Sequence, residues 1–352
     1  MRTVESVTKG HPDKVADQIS DALLDSYIRK DPHSRVAIET LIKNDQVVLA
    51  GEVRSKANLT PQDRRTIANR VLRSLGYAER ETLDFVAEQS PEIAGAVDSH
   101  ELCAGDQGIM YGYATNETRE RLPVEQVWAR ALTDQLTRLR EHYVLPWLRP
   151  DGKAQVTSRN GKPYKVIVSA QHDDTVTLQQ VRDELTPRIT SLFDGLGVDA
   201  PVSVTVNPAG AWTIGGPDAD AGVTGRKLMV DSYGGIGRHG GGAFSGKDPS
   251  KVDRSAAYAA RQAAKWLVDG GMTSTAEIAV AYAIGVAKPV MLTATGDGGV
   301  SDSALRLEVM RRFDFRPEAI IERLSLLNQV YEWTAARGHF GHPEFAWEQV
   351  KA

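Results

Sequence analysis

Residues 36–53 read VAIETLIKNDQVVLAGEV, and this stretch decides the class of fold. Two apolar runs flank Asn44-Asp45, a pair that is typical of a two-residue hairpin turn. With that turn, residue 43 faces residue 46, and alternate side chains point to opposite faces of the sheet. One face carries Val36, Ile38, Thr40, Ile42, Val47, Leu49, Gly51 and Val53, and the other carries Ala37, Glu39, Leu41, Val48, Ala50 and Glu52.

The first face is mostly apolar and is expected to lie on helices, but the second face is also too apolar to meet water comfortably. A sheet that is apolar on both faces is normally covered on both. We therefore predict that the second face packs against another subunit. Glu39 and Glu52 lie diagonally on it, about 7–8 Å apart, and burial of their carboxylates would require cations.

The patterns around the hairpin predict helices mixed with strands. Gly10-His11-Pro12-Asp13 begins a helix, since proline suits a first helical position. Asp248 is interpreted as the N-cap of a helix that runs to about Val268. Because no βαβ unit repeats, the fold class is α+β. Further helices are predicted at 61–75, 124–139, 178–192, 305–313 and 317–324, strands at 165–169, 202–206, 227–232 and 278–284, and a turn at 148–151.

The whole-chain composition narrows the classes of function. The chain has 352 residues, enough for two or three domains, and its 42 basic and 46 acidic residues give a net charge of −4. A general nucleic-acid binder would be basic, and no apolar run is long enough to cross a membrane. Residues 1–10 lack the apolar region of a signal peptide. One cysteine, Cys103, excludes an intrachain disulfide, so we expect a cytoplasmic protein.

The segment 234–248 reads GGIGRHGGGAFSGKD and fits two generic nucleotide motifs. Residues 235–240 match G-x-G-x-x-G, but the glycines continue where a dinucleotide-binding helix should begin. Residues 241–247 match G-x-x-x-x-G-K, but Asp248 stands where a Walker loop needs Ser or Thr. Glycines still let backbone N–H groups approach an anion closely. The segment therefore predicts polyphosphate binding, with cations supplied by Arg238, His239, Lys247 and Lys251.

Seven segments together resemble one family, in that family's order. They are GHPDK (10–14), AGDQG (104–108), GYATNE (112–117), LPWLRPD (145–151), TGRK (224–227), GGGAFSGKDPSKVDRSAAY (240–258) and GHFG (338–341). The chain is similar over nearly its whole length to the methionine adenosyltransferases, the S-adenosylmethionine synthetase family.

This resemblance implies three similar α+β domains with mixed or antiparallel sheets, helices on one face and subunit packing on the other. It implies a homodimer or a dimer-of-dimers tetramer. The corresponding domains are 1–95, 103–217 and 218–352, with discontinuous domains left open, and a mobile lid loop at 89–103.

The reaction implied by the resemblance joins L-methionine to ATP. The methionine sulfur attacks C5′, the triphosphate leaves, and it is then hydrolysed to pyrophosphate and phosphate. Magnesium, two ions per site, and potassium are the implied cofactors. Because a thioether is already nucleophilic, no general base is required, and the main catalytic task is to stabilise charge on the leaving group.

The resemblance also assigns site residues by motif. The catalytic set is His11, Lys153, Arg226 and Lys247. The ATP and polyphosphate set is His11, Asp151, Lys153, Trp212, Asp220, Arg226, Lys227, Ala243 and Lys247. The methionine set is Glu52, Gln89, Asp106, Asp220 and Lys251. The metal ligands are Asp13 and Asp253 for magnesium and Glu39 for potassium.

Simpler interpretations of some residues remain open at this point. Asp13, Asp17, Asp21 and Asp25 recur every four residues, which by itself predicts a solvated acidic face. Trp212 either belongs to the core or stacks on adenine, where this family usually has Phe. Ala211-Trp212 and Cys103 depart from the family pattern and leave open a divergent paralogue that acts on a methionine analogue. A kinase or NTPase would release ADP, and a non-catalytic subunit would lose the site cations, which are present.

Overall fold

The computed structural model describes residues 1–89 and 102–350. Strands and helices are mixed along this part of the chain, as the α+β prediction requires. The strands are β1 (Arg2–Val7), β2 (Arg35–Lys43), β3 (Gln46–Arg54), β4 (Glu81–Glu88), β5 (Gly108–Thr115), β6 (Leu148–Arg159), β7 (Lys162–His172), β8 (Ser203–Val206), β9 (Gly222–Val223), β10 (Thr275–Tyr282) and β11 (Met291–Gly296). The helices are α1 (Pro12–Lys30), α2 (Pro61–Leu75), α3 (Val124–Glu141), α4 (Leu178–Gly195), α5 (Leu228–Asp231), α6 (Val252–Asp269), α7 (Asp302–Arg312), α8 (Pro317–Arg323) and α9 (Tyr331–Arg337).

The hairpin β2–β3 has the predicted register. Lys43 pairs with Gln46, and Val36 pairs with Val53. The turn residue Asn44 has a φ of 49°, in the left-handed region that asparagine tolerates. The apolar side chains of the first face are buried, except for the half-buried Val53, and the face packs on α1, so the prediction for that face is confirmed.

The described strands form three sheets, each of which combines distant parts of the chain. The orders are β4-β3-β2-β9, β1-β6-β7-β8 and β11-β10-β5. The pairs β3–β4 and β7–β8 are parallel, and the other pairs are antiparallel. Two sheets are therefore mixed and the β11-β10-β5 sheet is antiparallel, as predicted. Strands β1, β5 and β9 each join a sheet built mainly from another part of the chain.

Two hydrophobic cores support this arrangement. The larger core surrounds α1 and α6, and the smaller core lies between the β1-β6-β7-β8 sheet and helices α3 and α4. Helix α1 is buried at 16 of its 19 residues, which is unusual for a helix with several charged side chains. Within the described part of the chain, every helix is too short or too polar to span a bilayer.

The segment 227–232, predicted to be a strand, contains the short helix α5, with Lys227 and Ser232 as its caps. The N–H of Asp231 donates to the Lys227 carbonyl at 2.9 Å, and the N–H of Ser232 donates to the Leu228 carbonyl at 3.1 Å. These are helical bonds, and an apolar run this short does not distinguish a helix from a strand.

The turn predicted at 148–151 is the first part of strand β6, which begins its pairing at Leu148 with His172. The register shifts between Leu148 and Gly152. Pro150 is accommodated within this irregularity, since a bulge is one of the few sheet positions that tolerate proline.

The helix predicted to begin at Asp248 begins at Val252 instead, with Lys251 as its N-cap. The Asp248 carboxylate accepts hydrogen bonds from the backbone N–H of Val36 at 2.7 Å and from Lys251 Nζ at 2.6 Å. This side chain therefore ties the glycine-rich segment to the hairpin, a contact that a local capping rule cannot anticipate.

Candidate active site

Four aspartates on one face of α1 organise the site, and we call Asp13, Asp17, Asp21 and Asp25 the aspartate ladder. Residues four apart share a helix face. Each of the four side chains is at most 8 % exposed. The prediction of a solvated acidic face is therefore wrong.

Each carboxylate of the aspartate ladder accepts a backbone N–H from a distant segment. Asp13 accepts from Val223 at 2.9 Å, Asp17 from Gly225 at 2.8 Å, Asp21 from Gly246 at 2.9 Å, and Asp25 from Tyr331 at 2.8 Å and Glu332 at 3.0 Å. The ladder thus fixes the TGRK segment, the glycine-rich segment and the start of α9 to one helix.

Buried cations balance the middle of the aspartate ladder. Lys14 Nζ donates to Asp17 at 2.9 Å and to Asp231 at 2.5 Å, while an Arg254 Nη donates to Asp21 at 2.7 Å. Burial lowers the pKa of Lys14, but the two carboxylates outweigh it and hold that pKa above its usual value. A charge buried in this way requires such a partner.

A group of mostly cationic side chains surrounds His11, and we call His11, Asp13, Lys153, Arg226 and Lys227 the histidine cluster. His11 is the N-cap of α1, and its Nδ1 accepts the N–H of Asp13 at 3.2 Å. Burial and the charges of Lys227 and Lys153 lower the pKa of His11 to about 3. The imidazole is therefore neutral at pH 7, with its proton on Nε2.

Asp13 is the acceptor at the centre of this cluster. Lys227 Nζ donates to its Oδ2 at 2.6 Å, and Arg226 Nε lies 3.7 Å from Oδ1. Burial opposes the charged carboxylate, but the bonds from Lys227 and Val223 outweigh it, so the pKa of Asp13 lies below its usual value. Asp13 is thus an ionised carboxylate among cations.

Strand pairing brings LPWLRPD next to His11. Lys153 of β6 pairs with Val7, at the end of β1. Asp151 accepts the N–H of Gly216 at 2.8 Å, while its Oδ1 has no hydrogen-bond partner within residues 1–89 and 102–350. Burial raises the pKa of Asp151 to about 6. The free Oδ1 is thus a buried acceptor beside the histidine cluster.

Trp212 and Asp220 flank the segment that Asp151 holds. The indole Nε1 of Trp212 donates to the Ile214 carbonyl at 2.8 Å, and the side chain is half-exposed rather than part of either core. Asp220 is exposed, and its charge helps to raise the pKa of Asp151. The core interpretation of Trp212 is thereby excluded, while its contact with adenine stays a prediction.

Six of the assigned residues line one cavity of about 240 Å³, which we call the Glu52 cavity. They are Glu52, Gln89, Asp106, Lys247, Lys251 and Asp253. Gln89 Nε2 donates weakly to Glu52 at 3.4 Å, and Lys247 Nζ donates to Asp253 at 2.5 Å. The cavity therefore combines carboxylates with lysines, as a zwitterionic ligand requires.

The two groups of residues are linked through the aspartate ladder. Asp13 belongs to the histidine cluster, and Asp21 holds Gly246, the neighbour of Lys247. The step of eight residues from Asp13 to Asp21 spans about 12 Å along the helix axis. The TGRK and glycine-rich segments also touch, since a Cβ at Gly225 would lie 2.5 Å from that of Ala243.

Comparison with known proteins then decides the family. The family model described as S-adenosylmethionine synthetase, N-terminal domain, matches residues 1–99, that of the central domain matches 101–212, and that of the C-terminal domain matches 214–349. The chain belongs to the S-adenosylmethionine synthetase family.

Curated members of the S-adenosylmethionine synthetase family align with nearly all of the chain. The S-adenosylmethionine synthase of Wolinella succinogenes is 47% identical over 371 residues, that of Sulfurovum sp. 46% over 373, and that of Deinococcus radiodurans 45% over 388. In each case the match covers 99% of this chain and 95% of the relative. None of these comparisons supports a paralogue that acts on a methionine analogue.

Some of the residues that were expected at the site lie away from the Glu52 cavity. Glu39 shares a sheet face with Glu52 but is exposed and does not line the cavity. Arg238 of the glycine-rich segment pairs with Glu277 rather than with the site. Residues 90–101, which make up most of the predicted lid, lie outside the described residues.

Some supporting residues of this S-adenosylmethionine synthetase site escaped sequence reasoning. Lys14, Asp231 and Arg254 are buried around the aspartate ladder. Lys14 lies in the GHPDK motif and Arg254 in the KVDRS part of the glycine-rich motif, so the family motifs could have indicated both residues. Asp231 carried no such signal, because its segment was interpreted as a strand.

The carboxylates suit a metal that is shared with phosphate. Across residues 1–89 and 102–350, no three His, Cys, Asp or Glu side chains are grouped closely enough to hold a metal by themselves. Magnesium is usually bound through one or two carboxylates together with substrate phosphates and water. Asp13 and Asp253 each offer one carboxylate beside a lysine, so they fit that mode.

Proposed function

We propose that this protein makes S-adenosylmethionine from L-methionine and ATP. The observation that carries the proposal is the aspartate ladder, which joins Lys227 and Lys247 to one helix next to neutral His11. Both lysines are held by carboxylates, Asp13 and Asp253, and can exchange them for phosphate oxygens. Such a site is suited to a departing polyphosphate.

The reaction is a displacement at carbon. The sulfur lone pair forms the bond to C5′, the bond from C5′ to its oxygen breaks, and its electron pair leaves with the triphosphate. Arg226, Lys227 and Lys247 stabilise the departing charge, which is where preorganised donors contribute most. Neutral His11, with its proton on Nε2, donates to the leaving oxygen. A water then splits the triphosphate into pyrophosphate and phosphate.

The Glu52 cavity takes methionine under this proposal. Glu52 binds the ammonium group, and Lys251 binds the carboxylate. Gln89 and Asp106 complete the polar lining, and Asp220 contacts either methionine or ribose. On the ATP side, Lys153, Asp151 and Ala243 line the nucleotide, and Trp212 stacks on adenine.

The family's need for metal ions is met here by magnesium and potassium. Asp13 and Asp253 would hold two magnesium ions, which supply charge neutralisation for the polyphosphate. Glu39 would hold potassium, close to Glu52 on the same sheet face. We also retain the three domain assignments, 1–95, 103–217 and 218–352, and a cytoplasmic location as predictions.

A second copy of the chain covers the outer face of the β4-β3-β2-β9 sheet. Phe85 is 65% exposed, and Leu41 and Leu83 are 42% and 41% exposed. Leu41, Val48 and Leu83 align in one row across the sheet, beside Ala50 and Phe85 in the next. A contiguous apolar face of this kind marks an interface, so we propose a homodimer or a dimer of such dimers.

The test is product analysis by mass spectrometry after incubation with ATP, magnesium and methionine. We expect S-adenosylmethionine, pyrophosphate and phosphate, with no ADP, and no S-adenosylmethionine when methionine is omitted. ADP as the product would place the protein among kinases or NTPases and refute the proposal.

A further inference from the structure

His239 of the glycine-rich segment was expected to be a cation that binds polyphosphate, but burial lowers the pKa of its imidazole to about 4, so the ring is neutral and that expectation is wrong. Its Nδ1 accepts the N–H of Gly241 at 2.9 Å, and its ring lies 5.0 Å from that of Phe244. In a neutral imidazole the proton must then sit on Nε2. Nε2 is buried and has no hydrogen-bond partner in residues 1–89 and 102–350. A buried donor without an acceptor is costly, so an acceptor is expected nearby.

Asp253 lies across a small space from this ring. A space of about 10 Å³ is lined by both His239 and Asp253, together with Gly242 and Phe244. This is about the minimum volume that accommodates one water molecule. The carboxylate is placed tightly, because a Cβ at Gly242 would lie only 2.1 Å from its Oδ1.

Lys247 already holds the other oxygen of this carboxylate, at 2.5 Å from Asp253 Oδ2. Under the proposed function, Lys247 leaves Asp253 to contact polyphosphate. The carboxylate then needs another donor to keep its orientation toward a metal. A donor on the opposite side, facing the glycine-rich segment, would supply it.

We propose that His239 is a positioning residue that donates from Nε2, through one buried water, to Asp253. It holds this carboxylate in place when Lys247 turns to polyphosphate. The inference rests on the proposed function, because it takes Asp253 and Lys247 as site residues. Groups that orient a metal-binding carboxylate typically change metal affinity about 10–100-fold when they are removed.

Two substitutions distinguish the role of Nδ1 of His239 from that of Nε2. His239→Asn keeps an acceptor near Nδ1 for Gly241 but removes the donor at Nε2. His239→Gln places an amide nitrogen near Nε2 but gives up the acceptor. His33→Asn, on an exposed histidine, is the matched control and should behave as wild type.

The measurement is the Kd of Mn²⁺, by electron paramagnetic resonance with the non-hydrolysable analogue AMP-PNP present, followed by kcat and the methionine KM. We expect His239→Asn to raise the Mn²⁺ Kd and lower kcat about 10-fold each, with the methionine KM unchanged. His239→Gln should recover both to within about 3-fold of wild type.

Normal Mn²⁺ affinity and kcat in folded His239→Asn would overturn the proposal. Equal damage in His239→Gln would also overturn it, since the Gly241 contact would then be what matters. If His239→Asn does not fold, His239→Ala is measured instead, and normal Mn²⁺ affinity in folded His239→Ala would also overturn the proposal. The Mn²⁺ titration measures binding and does not depend on product formation. A failure of the proposed function would be seen separately, because the wild-type protein would then make no S-adenosylmethionine.

Discussion

The histidine cluster and the Glu52 cavity hold their charges in different ways. In the histidine cluster, the backbone N–H of Val223 fixes the orientation of the carboxylate of Asp13, and the neighbouring strands β1 and β6 are paired. In the cavity, the contacts are between side chains, such as the 3.4 Å bond of Gln89 to Glu52. The first is preorganised, whereas the second must rearrange to accept its ligand. Variants in the two regions should therefore affect different quantities.

The largest effect is expected from Asp21→Ala, in the aspartate ladder that links the two regions. Removal of this carboxylate leaves Arg254 buried without its counter-charge, which costs about 3–5 kcal/mol of unfolding free energy. Chemical denaturation followed by circular dichroism measures it. Asp183→Ala, on an exposed helical aspartate, is the control and should change stability by less than about 0.5 kcal/mol. A similar small loss in Asp21→Ala would show that the ladder does not organise the site.

Lys247→Ala should separate activity from stability. We expect at least about a 100-fold loss of kcat, since one contact to the charge that develops in the transition state contributes about 3 kcal/mol. The half-buried lysine should leave the melting temperature within a few degrees of wild type. Steady-state kinetics and thermal unfolding of the same preparation check both statements. Near-normal turnover in the folded variant would remove this lysine from the catalytic set.

Glu52→Gln tests the cavity alone. The variant should raise the methionine KM strongly, by about 10-fold if one charge-assisted bond to the ammonium group is lost. The KM for ATP should stay within about twofold. Glu81→Gln, on an exposed glutamate of the same sheet, is the control. A parallel rise in both KM values would contradict the assignment of this cavity to methionine.

The smallest effect is expected from Trp212→Ala, at the margin of the histidine cluster. Stacking on a base contributes about 1–3 kcal/mol, and for the half-exposed Trp212 the lower end of this range is expected, so ATP binding should weaken about 5-fold. ATP should quench tryptophan fluorescence in wild type but less in the variant. Trp333→Ala, on a tryptophan that is 59% exposed, should leave the quenching unchanged. Unaltered ATP affinity in Trp212→Ala would refute adenine stacking.

Local rules predicted the local parts of this structure. The hairpin register follows from a period of two and one turn, and α2 ends at Leu75 as predicted, followed by the C-cap Gly76 with a φ of 91°. The motif resemblance brought together the residues of the Glu52 cavity. These inferences need only neighbouring residues or a matching pattern.

The aspartate ladder could not be predicted in that way. A spacing of four specifies one helix face but not whether solvent or protein meets it. The deciding partners are backbone N–H groups, from Val223 to Glu332, that carry no side-chain signature. Strands β1, β4, β5, β6, β9 and β11 were missed for a related reason, since their partners lie far along the chain or their alternation is weak.

During synthesis on the ribosome, Asp25 is made long before the residues that donate hydrogen bonds to it. Its acceptor oxygens meet the N–H groups of Tyr331 and Glu332, the first of which lies 306 residues later. At 5–20 residues per second, this delay is about 15–60 s. Until then Asp25 lacks the two backbone donors that it has in the native structure, and a chain halted at residue 217 lacks the backbone partners of all four ladder carboxylates. Although three successive segments match three family domains, the protein should acquire its native state late and as one cooperative unit.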